Sequence, residues 1–264
     1  MTEKHVAVVT GATGGIGAAI CRRLHADGYA IVAHYRGDHD AAQALASSLG
    51  ADCHLVSADL STMSGVNRVL ASVNDVLERH DGYVLRALVN NAAKLLGPSF
   101  FDATADQFDE YVSINMRAPF FLAQGLTRSM LPGGSVVNIS SASTHFSSPG
   151  DIVYAMSKAG VESLTRNMAE AIAPRGLRVN TVIPGFTDNG HPAFRDPEVR
   201  RYMSSFSVLG DVATPETVAH AVAFLISDDA NRTTGTTVDV SGGSTLGARG
   251  DRAAGVGSLL RHDA

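Results

Sequence analysis

The stretch VAVVTGATGGIGAAICRRL, residues 6–24, decides the fold. It begins with an apolar, β-branched run, VAVVT (6–10), and passes through TGATGGIG (10–17). It then continues in a segment whose apolar residues recur at helical spacing. Glycines at 11, 15 and 17 permit a tight turn, close approach of backbone to a pyrophosphate and close packing of a helix on a sheet. The spacing is TGxxxGxG, and an ordinary strand-to-helix turn rarely needs three glycines. A glycine-rich turn alone is a weak signal; its position between a strand and a helix strengthens it.

The same alternation continues along the chain. Short apolar runs predict strands over 5–10, 29–34, 53–57, 84–89, 135–140, 177–183 and 236–240. Helical patterns fall near 15–27, 39–49, 62–79, 104–130, 151–173 and 215–227. Runs such as VLRALV (84–89) and GSVVNI (134–139) are nearly all apolar, as strands covered on both faces must be. The expected fold is α/β, one domain over 1–246, with a doubly wound, seven-stranded parallel sheet flanked by helices. Residues 185–206, GFTDNGHPAFRDPEVRRYMSSF, break the rhythm and read as an insertion over one edge of the sheet. The Gly-rich segment 247–264 reads as a tail, flexible or reaching a neighbouring subunit.

Composition narrows the class. The chain has 264 residues, 45% hydrophobic and 18% charged, enough for one substantial core. A net charge of −5 argues against nucleic acid as the main partner. No apolar stretch is long enough to span a membrane, and no basic region with a cleavage site precedes the first strand. Cys21 and Cys53 are far apart in periodic segments and read as core residues of a reducing compartment. The ten histidines show no ligand spacing, so no metal site is expected. Together these predict a soluble, cytoplasmic protein.

VYAMSKAG (153–160) carries the chemistry. Residues four apart share a helical face, so Tyr154 and Lys158 can address one spot. An unperturbed tyrosine, with a pKa near 10, gives up its proton reluctantly at neutral pH. A lysine one turn away stabilises the phenolate and lowers that value. Such a pair suits acid/base work at a carbonyl or alcohol oxygen.

At this point the chain resembles the short-chain dehydrogenase/reductase (SDR) family over about residues 4–246. TGATGGIG is similar to that family's cofactor loop, NNAA (90–93) to its NNAG, and YAMSK (154–158) to its YxxxK. Ser141 lies thirteen residues before Tyr154, at the family's serine position. Asn115 in SINMRAPFF matches its helix asparagine, and IPGFT (183–187) its Pro-Gly stretch over the nicotinamide. The resemblance implies a Rossmann fold and hydride transfer between a nicotinamide and a carbonyl or alcohol carbon. Asn115, Ser141, Tyr154 and Lys158 would be the catalytic four. Gly11, Thr13, Gly15, Ile16, Gly17, Leu60, Asn91, Ala92, Tyr154, Lys158, Pro184, Gly185 and Thr187 would hold the cofactor. It also implies a homotetramer. NNAA departs from the family by Ala93, and IPGFTDN by Thr187 and Asn189, where the family carries Ile and Thr.

Pro119 adds a point of its own. It has no N–H to offer the Asn115 carbonyl, so a helix here either kinks with that carbonyl free or ends before the proline. In the family this carbonyl holds a water that passes protons from the lysine to solvent.

The second strand ends AHYRGD (33–38). Where NAD-type relatives carry Asp the chain has Tyr35, followed by Arg36, whose guanidinium suits a 2′-phosphate. NADP(H) is therefore expected in preference to NAD(H), which remains possible. Asp59, in SADLS, would accept from the adenine amino group or serve as a helix N-cap. Substrate-facing residues are expected from Lys94–Leu96, His145–Phe146 and 186–206. The pattern is nearest to 3-oxoacyl-thioester reductases, which implies a 3-oxoacyl ketone and acyl carrier protein as a candidate partner. Because SMLPGGSVV (129–137) lacks the basic residues usual there, a wider class stands beside it, a polyketide-like, sugar-like or other small ketone in specialised metabolism. For such docking Arg175 fits, while Arg128, Arg200 and Arg201 read either as its supplement or as a solvated face. Two rivals stand beside this reading: an alcohol dehydrogenase working oxidatively on another small substrate, and a cofactor-binding sensor of the same fold that has lost catalysis.

Overall fold

All seven expected strands are present, each within a residue or two of its expected place. The structure, a computed structural model, describes residues 3–190 and 192–247. The strands are β1 (Lys4–Val9), β2 (Ala30–Tyr35), β3 (Cys53–Ser57), β4 (Tyr83–Asn90), β5 (Ser135–Ile139), β6 (Arg178–Pro184) and β7 (Thr237–Val240). They form one sheet in the order β3-β2-β1-β4-β5-β6-β7, every pair parallel. This is a doubly wound, Rossmann-like sheet, and its strand order reverses between β1 and β4.

Strand alternation distributes the apolar residues between two layers. On one face Val6, Val8, Val32, Leu88 and Val136 pack under helices α3 (Met63–Arg79), α5 (Ala118–Leu126) and α6 (Ile152–Ile172). On the other, Ala7, Val9, Ile31, Val89 and Val137 meet α1 (Gly15–Ala26), α2 (His39–Leu49) and α8 (Pro215–Ile226). Adjacent residues of one strand thus serve opposite cores. Neither layer leaves a sheet face wet, which accounts for the continuous apolar runs in the sequence.

Two segments differ from expectation. The helix expected over 104–130 is α4 (Ala105–Val112), a π-helical turn over Ser113–Arg117, and then α5. The chain neither runs as one straight α-helix nor stops before Pro119, which sits in the first turn of α5, where a missing N–H is tolerated. The π turn falls on the segment that carries Asn115.

The insertion at 185–206 is more ordered than a loop. It holds a short 3₁₀ turn, Pro192–Arg195, and the helix α7 (Pro197–Ser204), and its return leg extends to Ala213. There Ala213 accepts from the Asp188 N–H and donates to the Phe186 carbonyl, each at 2.9 Å. Arg200 closes the base by pairing with Asp188 at 3.2 Å and Asp211 at 2.8 Å. The tail expected over 247–264 lies, beyond Gly247, outside the described residues.

Candidate active site

The carboxyl ends of β1, β4, β5 and β6 open onto a cleft of about 910 Å³, beginning at the point where strand order reverses. At one end lies the glycine loop. Gly11 has φ +64°, and a Cβ there would stand 2.9 Å from the Ala92 Cα. A Cβ on Gly17 would fall 2.1 Å from the Gly11 carbonyl oxygen, so helix and loop can close only on glycine. Asn91 fastens the loop from β4, its side-chain amide donating to the Thr10 and Gly11 carbonyls at 2.9 and 3.1 Å.

A fastening absent from the sequence reading comes from β2. His34 is 2% exposed; its Nδ1 accepts the Gly11 N–H at 3.2 Å, and Nε2 lies 3.0 Å from the Ala58 carbonyl. A carbonyl can only accept, so these contacts assign the neutral ring with its proton on Nε2. Burial pulls the His34 pKa below its ordinary value, favouring that form. The available signal was a lone polar side chain in the apolar run AIVAHY, all of it buried.

Beyond the glycine loop, Arg36 and Asp59 face each other across the cleft at 3.8 Å, both about half exposed. Asp59 is not the N-cap of α3; Thr62 is, accepting from the Gly65 N–H at 3.0 Å. The Asp59 carboxylate instead accepts from the Ser61 N–H at 2.9 Å, which holds its pKa below the usual value. Asp38 caps α2 and leaves Arg36 as the charged group at the end of β2.

At the cleft's other end, Ser141, Tyr154 and Lys158 line one wall. Lys158 is 2% exposed, and its ammonium donates to the Ile139 carbonyl at 2.7 Å and lies 5.9 Å from the centre of the Tyr154 ring. Burial brings the Lys158 pKa down to about 8. For Tyr154 the expected lowering is overturned. Burial dominates and pushes its pKa up to about 12, the Asp151 carboxylate adds to the rise, and a hydrogen bond from Ser141 works against it. The lysine contact lies over the ring face, and among the charges that bear on the hydroxyl the structure gives the carboxylate of Asp151 and the neighbouring Tyr111.

Asn115 lies behind this wall and outside the cleft lining, 1% exposed. Its side chain is spent on structure: Oδ1 accepts from the Lys94 N–H at 2.8 Å, and Nδ2 donates to the Lys94 carbonyl at 3.1 Å and Ser157 Oγ at 2.9 Å. Its backbone lies in the π-helical turn Ser113–Arg117. The remaining expected cofactor positions, Thr13, Gly15, Ile16, Leu60, Ala92, Pro184, Gly185 and Thr187, all line the cleft. The open cradle at the N-terminus of α1, with Arg36 at one end and the Tyr154 wall at the other, fits an elongated dinucleotide phosphate.

Above Tyr154 the lining turns apolar. Leu95 and Leu96 come from the loop after β4, Phe146 from the loop after β5, and Phe186, Phe194 and Met203 from the insertion. Phe206 packs behind, 5.3 Å ring to ring from both Phe146 and Phe186. Asp151 accepts the Gly97 N–H at 2.8 Å and so ties the Leu95–Leu96 loop to the start of α6. The apolar lining comes from the three segments expected to face substrate, its aromatic rings from two of them, the loop after β5 and the insertion.

The comparisons agree with this geometry. A family model described as enoyl-(acyl carrier protein) reductase matches residues 11–245. The crystal structure of the angucycline C-6 ketoreductase LanV with bound NADP is 36% identical, with a TM-score of 0.87, covering 93% of this chain and 100% of that one. The reductase LugOII, described as promiscuous and as catalysing keto-reduction at C1 in lugdunomycin biosynthesis, is 36% identical with a TM-score of 0.89, over 93% and 99% of the two chains. The 3-oxoacyl-(acyl-carrier-protein) reductase FabG of Aquifex aeolicus (strain VF5) is 30% identical over 90% of this chain and 96% of its own. With the strand order, the glycine loop and the Ser141–Tyr154–Lys158 wall in place, these matches settle the kinship: the chain belongs to the short-chain dehydrogenase/reductase family of oxidoreductases.

Proposed function

We propose that the protein is an NADP(H)-dependent ketoreductase that converts a ketone on a flat, polycyclic, polyketide-like substrate into a secondary alcohol. The observation that carries the reading is the convergence of Ser141, Tyr154 and Lys158 on one wall of a cleft that begins at the glycine loop. The reduced nicotinamide supplies the hydride that reaches the carbonyl carbon. Ser141 donates a hydrogen bond to the carbonyl oxygen and fixes its position. Tyr154 gives its phenolic proton to that oxygen as negative charge develops there. Lys158 would hold the ribose and pass a proton to Tyr154, its own proton being replaced from solvent through a water held by the Asn115 carbonyl. With its pKa raised by burial, Tyr154 rests protonated, the form that donates to a carbonyl oxygen.

Arg36 is the group that would distinguish a 2′-phosphate from a hydroxyl. The LanV structure with NADP, at 36% identity, supports the same preference. For the substrate, the Leu95–Phe146–Phe186–Phe194 lining favours an apolar, flat molecule over a sugar, and the angucycline ketoreductase LanV supports a role in specialised metabolism. Acyl carrier protein fits less well, because Arg200 is engaged by two aspartates and Arg175 by the Arg128 carbonyl.

The unit that acts is the stretch 1–246, with 185–206 as its substrate loop, placed in the cytoplasm. No helix among the described residues is long and apolar enough to cross a membrane. Exposed Phe120 and Met156, on the two helices that flank Asn115 and Tyr154, support assembly of four chains; light scattering of the intact protein tests it. The decisive experiment follows NADPH and NADH oxidation over tetralones, polycyclic quinones, keto-sugars and 3-oxoacyl thioesters. Turnover is expected with NADPH and the polycyclic ketones, and Tyr154→Phe should lower kcat by about 10³-fold. Cofactor binding without turnover on every substrate would return the sensor reading, and a preference for NADH would overturn the role given to Arg36.

A further inference from the structure

The loop after β5, SSASTHF (140–146), carries Ser141 and also Phe146 of the substrate wall. Such a loop, built of small polar residues, has little apolar surface to hold it. Directly beneath it lies a buried carboxylate that the mechanism above does not use. Glu162 is 7% exposed and stands one turn beyond Lys158, so that Tyr154, Lys158 and Glu162 follow one another along α6. Its Oε1 accepts from the hydroxyls of Ser140 and Thr144, each at 2.7 Å, and its Oε2 lies 3.3 Å from His145 Nε2. Three residues of one seven-residue loop are therefore gathered on a single carboxylate, and they bracket Ser141 on both sides.

We propose that Glu162 is the positioning residue for Ser141: by holding Ser140, Thr144 and His145 it fixes the loop so that the serine hydroxyl points at the reacting oxygen. His145, expected to face substrate, does not line the cleft and is instead the carboxylate's partner. The placement has a chemical rationale. A carboxylate makes strong hydrogen bonds with hydroxyl donors, and one that is buried loses heavily if those donors are removed. The loop and the carboxylate thus hold each other in place. The same helix aims the acid and, through the loop, the hydrogen-bond donor beside it, so the two keep a constant separation.

This inference rests on the role given to Ser141, and the experiment separates the two. In the full-length protein, hydrogen exchange of the peptide spanning 140–147 is compared for wild type, Glu162→Gln and Glu162→Ala, with kcat, ketone KM and NADPH Kd measured on 2-tetralone or the best-turned-over panel ketone. Glu162→Ala is expected to speed exchange in that peptide alone and to lower kcat by about 10²-fold, with NADPH Kd unchanged within twofold. Glu162→Gln, which keeps an acceptor oxygen and the same shape, is expected to recover most of the protection and of kcat. Unchanged exchange at 140–147 in Glu162→Ala would overturn the proposal. So would a fall in NADPH affinity that matches the fall in kcat, since a general loosening of the fold produces that. If Ser141→Ala leaves kcat intact while Glu162→Ala still frees the loop, the role of Ser141 fails and not the anchoring by Glu162.

Discussion

At the scale of single residues, burial outweighs the other influences on Tyr154, Lys158 and His34. Lys158 and Tyr154 are one turn apart, yet the low-polarity wall moves each toward its neutral form, the lysine down to about 8 and the tyrosine up to about 12. The sequence shows the pairing of the two side chains but not their depth, and depth decides the sign for Tyr154. His34 follows the same rule with a different outcome. The bond from the Gly11 N–H needs an unprotonated Nδ1, and burial holds the folded pKa below the ordinary 6.5. The neutral form therefore contributes stability that is complete above about pH 6.5 and is lost as pH falls through the lowered value. Acidification should set an N–H of the ring against the Gly11 N–H and weaken NADPH binding by about tenfold. His34→Asn keeps an acceptor near Nδ1 and cannot titrate, so its Kd profile should stay flat where the wild type rises. The 2′-phosphate titrates equally in both proteins, so fluorescence titrations from pH 8 to pH 5 isolate the ring. Identical profiles would remove His34 from the cofactor site.

At the scale of elements, the segment α4–π–α5 is where a local rule and a tertiary need meet. Its pattern reads as one long helix, because apolar periodicity cannot distinguish an α turn from a π turn a few residues long. Pro119 was the only visible warning, and it marks the junction without ending the helix. In an α turn the N–H of residue 119 would take the Asn115 carbonyl. Pro119→Ala should supply that N–H, leave the melting temperature equal or slightly raised, and lower kcat by about tenfold as the proton path is interrupted. An unchanged kcat would show that the Asn115 carbonyl has no part in proton supply. The strands were legible for the opposite reason. The inner strands are short runs covered on both faces, which their apolar composition announces, and Gly11 and Gly17 mark the turn where no other residue fits. The strand order reverses between β1 and β4, and the cleft begins at that reversal.

At the scale of the whole molecule, the two ends of the cleft are specified differently. The cofactor end is made of backbone groups fixed by the sheet, and every residue the sequence nominated for it lines the cleft. The ketone end is assembled from the loops after β4 and β5 and from the insertion, whose meeting depends on long-range packing that no local pattern encodes. Glu162 escaped notice for that reason, since a glutamate on a helix face is ordinarily solvated and its burial becomes visible only once the loop above it is in place. The insertion itself is hinged at its base by two backbone bonds to Ala213 and by Arg200 between Asp188 and Asp211. Those ion pairs lie at the surface, where dissolved salt competes with them. Ionic strength thereby becomes a throttle on the enzyme's tempo: if release of the alcohol limits turnover, raising sodium chloride from 20 to 300 mM should quicken steady-state cycling while the single-turnover hydride step stays constant, and Arg200→Gln should cycle at the high-salt pace in dilute buffer.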